Sequence, residues 1–255
     1  MFVLALLILL VCAFGMPGMR EVPSYFDASV MRIDEGQYLG RYVENVVFMD
    51  KEGKRHHLLE FVKGKPTALI LAYYTCDAAC PLLVRGALDA TRAINRDFRV
   101  LVLSFDKEDT QNSLRAFKLK LGNVPKNWTF GIMKEEDIKK LTSSIGYRFF
   151  YSHRDKVFIH PNVITFLSSK GEIVRYLYGI SPKERDIRLA IAEAEGSKIT
   201  KNSFVDLAFL VCYRYDPSTG KYGLNPTVYF GLAGLGLVSL TLAYAFLKPK
   251  REVKT

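Results

Sequence analysis

The stretch that most constrains the fold is an apolar run followed by a helical pattern, with two cysteines at the junction. Residues 67–74 (Thr-Ala-Leu-Ile-Leu-Ala-Tyr-Tyr) show no polar alternation, which is typical of a strand buried on both faces of a sheet. After Pro81, apolar residues recur at helical spacing as far as Ile94. Proline suits the first turn of a helix, because its missing N–H would be unpaired there anyway. The sequence therefore predicts a central strand that leads directly into a helix.

Cys76 and Cys80 lie at this junction with the spacing Cys-x-x-x-Cys. Helix positions i and i+4 share one face, with Cβ atoms roughly 5–6 Å apart, and the positive end of the helix dipole favours thiolates. Such a pair can close a disulfide or can chelate a soft metal such as Cu(I) or zinc. A purely stabilising disulfide is the less favoured interpretation, because the loop it would close is too short to add much stability.

Among the four histidines, His160 has the context that indicates a third metal ligand. It precedes a predicted hairpin whose strands cover Val163–Leu167 and Ile173–Tyr178. In a thioredoxin-like sheet, the loop before that hairpin approaches the loop that carries the cysteines. The other three are interpreted as surface or core residues: His56, His57 and His153.

Alternating strand and helix patterns predict an α/β sandwich of thioredoxin type with an N-terminal β-hairpin. The hairpin is predicted over 38–49 and 57–61. The other predicted elements are a buried strand over 98–105, a helix capped by Thr110 or Asp109 and running to about Leu121, a short edge strand at Trp128–Phe130, a helix over 134–145 and a last helix that starts at Pro182.

Two acidic residues stand close to the predicted site. Asp106 follows the second buried strand, at the edge of the sheet where ligand sites of open α/β sheets collect. It could tune a metal site or cap a turn, and capping is the favoured role. Asp77 lies between the two cysteines and is the other side chain expected beside the metal ligands.

The two ends of the chain carry apolar segments of different kinds. Met1–Gly15 is apolar throughout but too short to span a bilayer comfortably, so residues 1–19 are predicted to be a signal sequence or an N-terminal anchor. Thr227–Leu247 has no charge over 21 residues, which predicts a transmembrane helix. Four positive charges follow it over 248–254, so we expect the C-terminus in the cytoplasm and the globular part outside.

These patterns divide the chain into six parts. The divisions are a signal sequence or anchor over 1–19, a tether over 20–37, a thioredoxin-like domain over 38–200, a membrane-proximal segment over 201–226, a transmembrane helix over 227–247 and a cytoplasmic tail over 248–255. Cys212 lies in the membrane-proximal segment, where a buried apolar role and a functional role are about equally favoured.

The chain is basic, with 36 Lys and Arg against 26 Asp and Glu, which gives a net charge of +10. No helix-turn-helix, zinc-finger or RNA-binding motif accompanies this charge, so nucleic acid is not an expected partner. A basic surface beside a membrane is better suited to anionic lipid or to an acidic partner domain.

Taken together, these motifs resemble the Sco/SenC proteins. The residues that carry the resemblance are Thr75-Cys76-Asp77-Ala78-Ala79-Cys80-Pro81, Ser104-Phe105-Asp106 with Asp109-Thr110, His160 ahead of Thr165–Gly171, and Tyr176–Gly179. The resemblance runs from about Tyr38 to Gly223 and includes Cys212–Tyr222, which looks like the tail of bacterial members that end in a membrane helix. The stretch before His160 departs from the Asp-His-Ser form of many members.

The resemblance implies a metallochaperone rather than an enzyme, with no catalytic residue. Copper would be bound by Cys76, Cys80 and His160 and passed to the binuclear copper centre of cytochrome c oxidase. The implied partners are the copper-bearing oxidase subunit, other copper chaperones and thiol–disulfide reductants. The expected location is the inner (plasma) membrane, with the globular domain on the periplasmic or extracytoplasmic side.

A thiol–disulfide oxidoreductase is the alternative function. In this role Cys76 and Cys80 would form the redox pair that reduces the cysteines of the oxidase copper site. His160 would then be dispensable or would only lower a pKa. A peroxiredoxin is disfavoured, because its Thr-x-x-Cys pattern is not met at Thr75-Cys76.

Overall fold

The computed structural model describes residues 31–76, 79–196, 213–216, 221–224 and 226–247. Side chains are described for 31–76, for 81–196 and for 230–244 apart from 232. The predicted signal sequence, Asp77 and Cys212 lie outside the described residues, and so does the side chain of Cys80.

Seven strands form one mixed sheet, and two separate hairpins lie outside it. The strands are β1 Val47–Asp50, β2 Arg55–His57, β3 Thr67–Ala72, β4 Arg99–Ser104, β5 Trp128–Met133, β6 Phe150–Ser152, β7 Val157–Ile159, β8 Val163–Leu167, β9 Ile173–Tyr178, β10 Tyr213–Asp216 and β11 Lys221–Leu224. The order across the sheet is β2-β1-β5-β4-β3-β8-β9, and β6-β7 and β10-β11 form the hairpins. Strands β3, β4 and β5 are parallel, whereas β1 and β8 join them antiparallel.

Helices connect the strands of the sheet. They are α1 Glu35–Tyr38, α2 Leu58–Val62, α3 Ala79–Thr91, α4 Gln111–Leu121, α5 Glu135–Ser144, α6 Glu184–Glu195 and α7 Pro226–Leu247. Helix α6 packs on β9, β8 and β3 and also contacts α3. This arrangement is the predicted α/β architecture, with β3 in its interior.

The central strand β3 is buried along its whole length, as its apolar sequence predicts. It pairs with β4 on one side and with β8 on the other. The neighbouring strands cover both edges of β3, and the burial of every side chain shows that neither face meets water. The strand ends at Ala72, and the chain then turns through Tyr73 and Tyr74 towards the first cysteine.

The N-terminal hairpin is present, since β1 and β2 pair antiparallel, but β1 begins at Val47 rather than at Tyr38, and β2 covers Arg55–His57 rather than 57–61. Residues 58–62 form helix α2 instead of extending the strand. Leu58 and Val62 are the buried residues of this helix, four positions apart and therefore on the same face. A short apolar run fits strand and helix equally well, and here the burial of this face favours the helix.

The place of one strand and the start of one helix also differ from the prediction. The predicted edge strand at Trp128–Phe130 is an interior strand, because β5 extends to Met133 and lies between β1 and β4. The last domain helix begins at Glu184 rather than at Pro182, with Lys183 at the N-cap. The strands β8 and β9 and the capping of α4 by Thr110 are confirmed.

The packed part of the chain begins before Tyr38. Ile33 and Glu35 fall within the stretch predicted as a tether, yet both are buried. The backbone N–H of Ile33 donates to the hydroxyl of Tyr178 at 3.2 Å, which fixes this segment against β9.

Residues near the C-terminus form the hairpin β10-β11 and the helix α7. Asp216 pairs with Lys221 in this hairpin, and the sequence analysis predicted neither of its strands. Among the residues that the structure describes, no helix combines the length and the hydropathy that crossing a membrane requires.

Candidate functional site

Cys76 lies at the end of the turn that follows β3. Its backbone N–H donates to the carbonyl oxygen of Tyr73 at 3.2 Å, which closes the turn. The residue is buried, with only 3% of its surface exposed. Helix α3 begins at Ala79, so Cys80 falls in its first turn. The strand-to-helix junction predicted for the two cysteines is therefore confirmed.

His160 lies directly after β7 and is also buried. Its Nδ1 is 2.9 Å from the hydroxyl of Tyr147 and 3.1 Å from the carbonyl oxygen of Pro161. A carbonyl only accepts, so the tautomer that satisfies Pro161 carries its hydrogen on Nδ1. That tautomer places the lone pair needed by a metal on Nε2, which is the usual arrangement of a ligating histidine.

Aromatic rings enclose the His160 imidazole. The ring centroids of Phe105, Tyr73 and Tyr147 lie 5.1, 6.0 and 6.2 Å from that of the imidazole. Rings at these distances fix the plane of the imidazole and exclude water from it. The sequence predicted His160 as the ligand, but it did not predict its contacts with Tyr73 and Phe105.

The pKa of His160 is lowered, and burial is the main cause because it disfavours the charged imidazolium. The hydrogen bond with the Pro161 carbonyl and the interaction with Cys76 act in the opposite direction but are weaker. The imidazole is therefore neutral at pH 7, which is the form that binds a metal. Tyr73 connects two of the three predicted ligands, because its carbonyl oxygen accepts from the Cys76 N–H and its ring contacts the imidazole.

Cys76 forms part of the wall of a half-open cavity of about 910 Å³. Five aromatic rings line it, those of Tyr73, Phe105, Phe149, Tyr151 and Phe158. Both signs of charge line it as well, since Asp106, Lys107 and Glu135 are among its residues. Two of the rings, Tyr73 and Phe105, also contact His160, so the cavity and the imidazole share a common wall.

Asp106 lines the same cavity and closes a local turn. Its Oδ1 accepts a hydrogen bond from the backbone N–H of Glu108 at 3.0 Å. This is the capping role that the sequence favoured. Burial raises the pKa of the Asp106 carboxyl, and the neighbouring Asp109 contributes in the same direction.

Asp109 has a structural role that the sequence did not indicate. It was considered as a helix cap, but Thr110 fills that position. The Asp109 carboxylate is instead buried beneath the cysteine turn, where its Oδ2 accepts a hydrogen bond from the backbone N–H of Tyr74 at 2.7 Å. Periodicity and spacing carry no signal for such a contact, because Tyr74 and Asp109 follow different strands.

A complete set of three metal ligands is not seen within the described residues. No group of three His, Cys, Asp or Glu side chains there is arranged to hold a metal ion. Cys80 and Asp77 fall outside this comparison, since the side chain of the first and the whole of the second are not described. The assignment of Cys76, Cys80 and His160 as one site therefore stays a prediction.

Comparison with protein families identifies the domain. The model of the SCO1/SenC family matches residues 34–194, which is more than half of the chain. The chain belongs to the SCO1/SenC family. The match begins close to α1 and ends within α6, so the Sco domain covers the whole seven-stranded sheet. No protein with a curated description matches the chain.

Solved structures similar to the Sco domain include a candidate electron transfer protein from Aquifex aeolicus VF5, at 32% identity and a TM-score of 0.59. This similarity covers 64% of the present chain and 98% of the Aquifex protein. A SCO1/SenC family lipoprotein from Bacillus anthracis str. Ames is 22% identical with a TM-score of 0.55, over 62% and 97% of the two chains. BsSco, a member of the Sco family of cytochrome c oxidase assembly proteins with a disulfide switch, is 21% identical with a TM-score of 0.55, over 63% and 96%. The thioredoxin-like α/β fold of the Sco domain is thereby confirmed.

Proposed function

We propose that this protein is a copper metallochaperone in which Cys76, Cys80 and His160 bind copper as cargo. The observation that carries the proposal is that buried Cys76 lines a cavity whose Tyr73 and Phe105 rings also contact buried His160, which is distant in sequence. Thiolate and imidazole together suit copper better than any hard cation. Copper-bound members of the same family support this choice of metal, among them yeast Sco1, whose TM-score with this chain is 0.50 at 14% identity, over 65% of this chain and 94% of the yeast chain.

Delivery to the binuclear copper centre of cytochrome c oxidase is the acceptor reaction that we propose. Family membership supports it, because BsSco is a cytochrome c oxidase assembly protein. Binding by three ligands leaves an approach for a ligand of the acceptor, so copper would pass by stepwise ligand exchange. The half-open cavity beside Cys76 supplies such an approach. Oxidation of Cys76 and Cys80 to a disulfide would abolish binding, since copper requires the thiolates.

A membrane tether is the second part of the proposal. It is supported by the 21 uncharged residues Thr227–Leu247 and by the four positive charges that follow them. Helix α7 covers the same residues, and its Leu235 and Leu240 are exposed. The basic tail favours a cytoplasmic C-terminus, which would place the Sco domain on the periplasmic or extracytoplasmic side of the inner membrane.

Copper titration of the reduced full-length protein tests the proposed site. We expect one Cu(I) per chain in the wild type, and loss of this stoichiometric binding in the Cys76→Ser, Cys80→Ser double variant. Cys12→Ser, Cys212→Ser is the matched control, because it removes the same number of thiols and leaves the proposed ligands in place. Equal stoichiometry in the wild type and in the Cys76, Cys80 variant would contradict the proposal.

A thiol–disulfide reductase remains the second candidate function, because two cysteines four residues apart at a helix start also suit dithiol chemistry. A His160→Ala variant separates the two functions. We expect it to lose copper and oxidase assembly together while its cysteines still cycle between dithiol and disulfide. Assembly that survives in this variant would favour reduction, because only copper delivery needs the imidazole as a ligand. His153→Ala is the control, since His153 is exposed and outside the cavity wall.

A further inference from the structure

One buried carboxylate joins the two loops that frame Cys76. Asp109 Oδ2 accepts hydrogen bonds from the backbone N–H of Tyr74 at 2.7 Å and from the hydroxyl of Ser104 at 2.5 Å. Ser104 Oγ in turn accepts from the backbone N–H of Asp106 at 3.0 Å. The turn after β3 and the loop after β4 are therefore connected through Asp109.

Tyr74 is held by hydrogen bonds at its backbone N–H and at its side-chain hydroxyl. Its N–H donates to Asp109, and its hydroxyl lies 2.7 and 3.0 Å from the carbonyl oxygens of Gly131 and Val102 in the core. Cys76 is only two residues further along the chain, and its own N–H closes the same turn on Tyr73. The backbone that carries Cys76 is thus held next to a residue that is fixed in the core.

Holding this turn with a buried carboxylate lowers the stability of the fold. Asp109 is only 7% exposed, and its Oδ1 is buried with no hydrogen-bond partner among the described residues. Leaving part of a charged group unsatisfied in the interior costs stability. An asparagine could offer one oxygen to the same two donors without a buried charge. What the carboxylate adds is strength, because hydrogen bonds to an ionised acceptor are roughly twice as strong as neutral ones.

We propose that Asp109 is a positioning residue, which fixes the turn so that Cys76 stays buried on the wall it shares with His160. The proposal deepens the copper-binding function and rests on it, because it names the part of the fold that keeps this site in order. Asp109 acts through the backbone of Tyr74 and need not touch the metal.

Site-resolved alkylation of Cys76 tests this role without copper. The reduced full-length chain carries Cys80→Ser, so that iodoacetamide modification of the shared peptide reports Cys76 alone. We expect Cys76 to be alkylated about tenfold faster in the Asp109→Ala variant than in its parent. This factor corresponds to the loss of one charged hydrogen bond. Asp109→Asn should give a smaller increase, because its amide oxygen can still accept a neutral bond.

Asp50 provides the matched control for both substitutions. Its Oδ1 also accepts two backbone N–H groups, from Glu52 and Lys54, but it belongs to the hairpin β1-β2. Asp50→Ala and Asp50→Asn show how far a general loss of stability accelerates alkylation. An Asp109→Ala rate equal to the Asp50→Ala rate would overturn the positioning role. If Asp109→Ala does not fold, an Asp109→Asn rate no higher than that of Asp50→Asn overturns it.

Copper affinity, measured with both cysteines present, separates this inference from the function on which it rests. We expect Asp109→Ala to bind Cu(I) about tenfold more weakly than wild type and Asp50→Ala to bind it normally. A wild type that binds no copper would refute the metallochaperone, whereas faster alkylation of the Asp109 variants would still support the positioning role. Normal binding in the wild type with unchanged alkylation in the variants would refute the positioning role alone.

Discussion

At the scale of single residues, His160 is the side chain whose chemistry depends most on its neighbours. Burial keeps its imidazole neutral, and the hydrogen-bond partners of Nδ1 decide which nitrogen faces a metal. Such partners of a ligating histidine typically change metal affinity by about 10- to 100-fold when they are lost. Tyr147 is therefore expected to matter for copper binding although it is not a ligand.

Replacement of Tyr147 by phenylalanine tests this role. We expect Tyr147→Phe to weaken Cu(I) binding about tenfold, because the ring remains but the hydroxyl that orients His160 is lost. Competition titration against a chelator of known affinity measures the change. Tyr176→Phe is the control, since it removes another buried hydroxyl, one that donates to the Ile145 carbonyl outside the cavity wall. Equal affinity in the two variants would remove Tyr147 from the site.

From the sequence we predicted candidate metal ligands but not the residues that position them. Cys76, Cys80 and His160 were predicted from spacing and from their positions relative to strands. The contacts of Tyr147 and Asp109 were not predicted, because each joins residues of different elements and depends on tertiary packing. Local patterns describe which face of an element is apolar, and they carry no information on such partners.

At the scale of elements, α3 approaches the chain before α6 closely enough to require a glycine. A Cβ on Gly86 would lie 2.7 Å from the carbonyl oxygen of Ile180 and 3.1 Å from the ring of Pro182. Backbone atoms cannot move aside as the end of a flexible side chain can. The close approach therefore fixes the position of the helix that begins beside Cys80.

Gly86→Ala is accordingly expected to destabilise the domain by about 1–3 kcal/mol, the usual cost of overpacking, less the gain in helix propensity. Urea unfolding followed by circular dichroism measures the difference. Gly36→Ala in α1 is the control, because its new Cβ would make only an ordinary contact at 3.5 Å. A Gly86→Ala protein as stable as the wild type would show that α3 can shift without cost.

Helices and strands were predicted correctly where apolar periodicity and turn residues indicated the same element, and wrongly where they did not. The bounds of β8 and β9 followed from two apolar runs separated by a Lys-Gly turn. The helix over 58–62 was mistaken for a strand, because a run of five residues fits both periods. The interior place of β5 depends on pairing with β1 and β4, which no stretch of local sequence encodes.

At the scale of the whole molecule, the prediction concerns the tether. We expect the full-length protein to stay with membranes during alkaline carbonate extraction. A variant with Gly231→Arg, Leu235→Arg and Leu240→Arg should be released, because each central charge costs about 2.5–3.5 kcal/mol on insertion. The double substitution Lys248→Arg, Lys250→Arg is the control, because it leaves the positive charge of the tail unchanged. Extraction of the wild type by carbonate would contradict a spanning helix.

Strand β3 is buried between two hydrogen-bonded neighbours, so its amides and those of the turn that follows it open to solvent by different motions. Amides of Ala68–Leu71 exchange with solvent only when the whole sheet opens, whereas those of Thr75 and Cys76 lie in a turn after the strand ends. Deuterium uptake at these two places therefore reports two different free energies, one global and one local. In the proposed function, copper exchange would need only the local opening, so the cargo would leave while the interior of the protein stays closed.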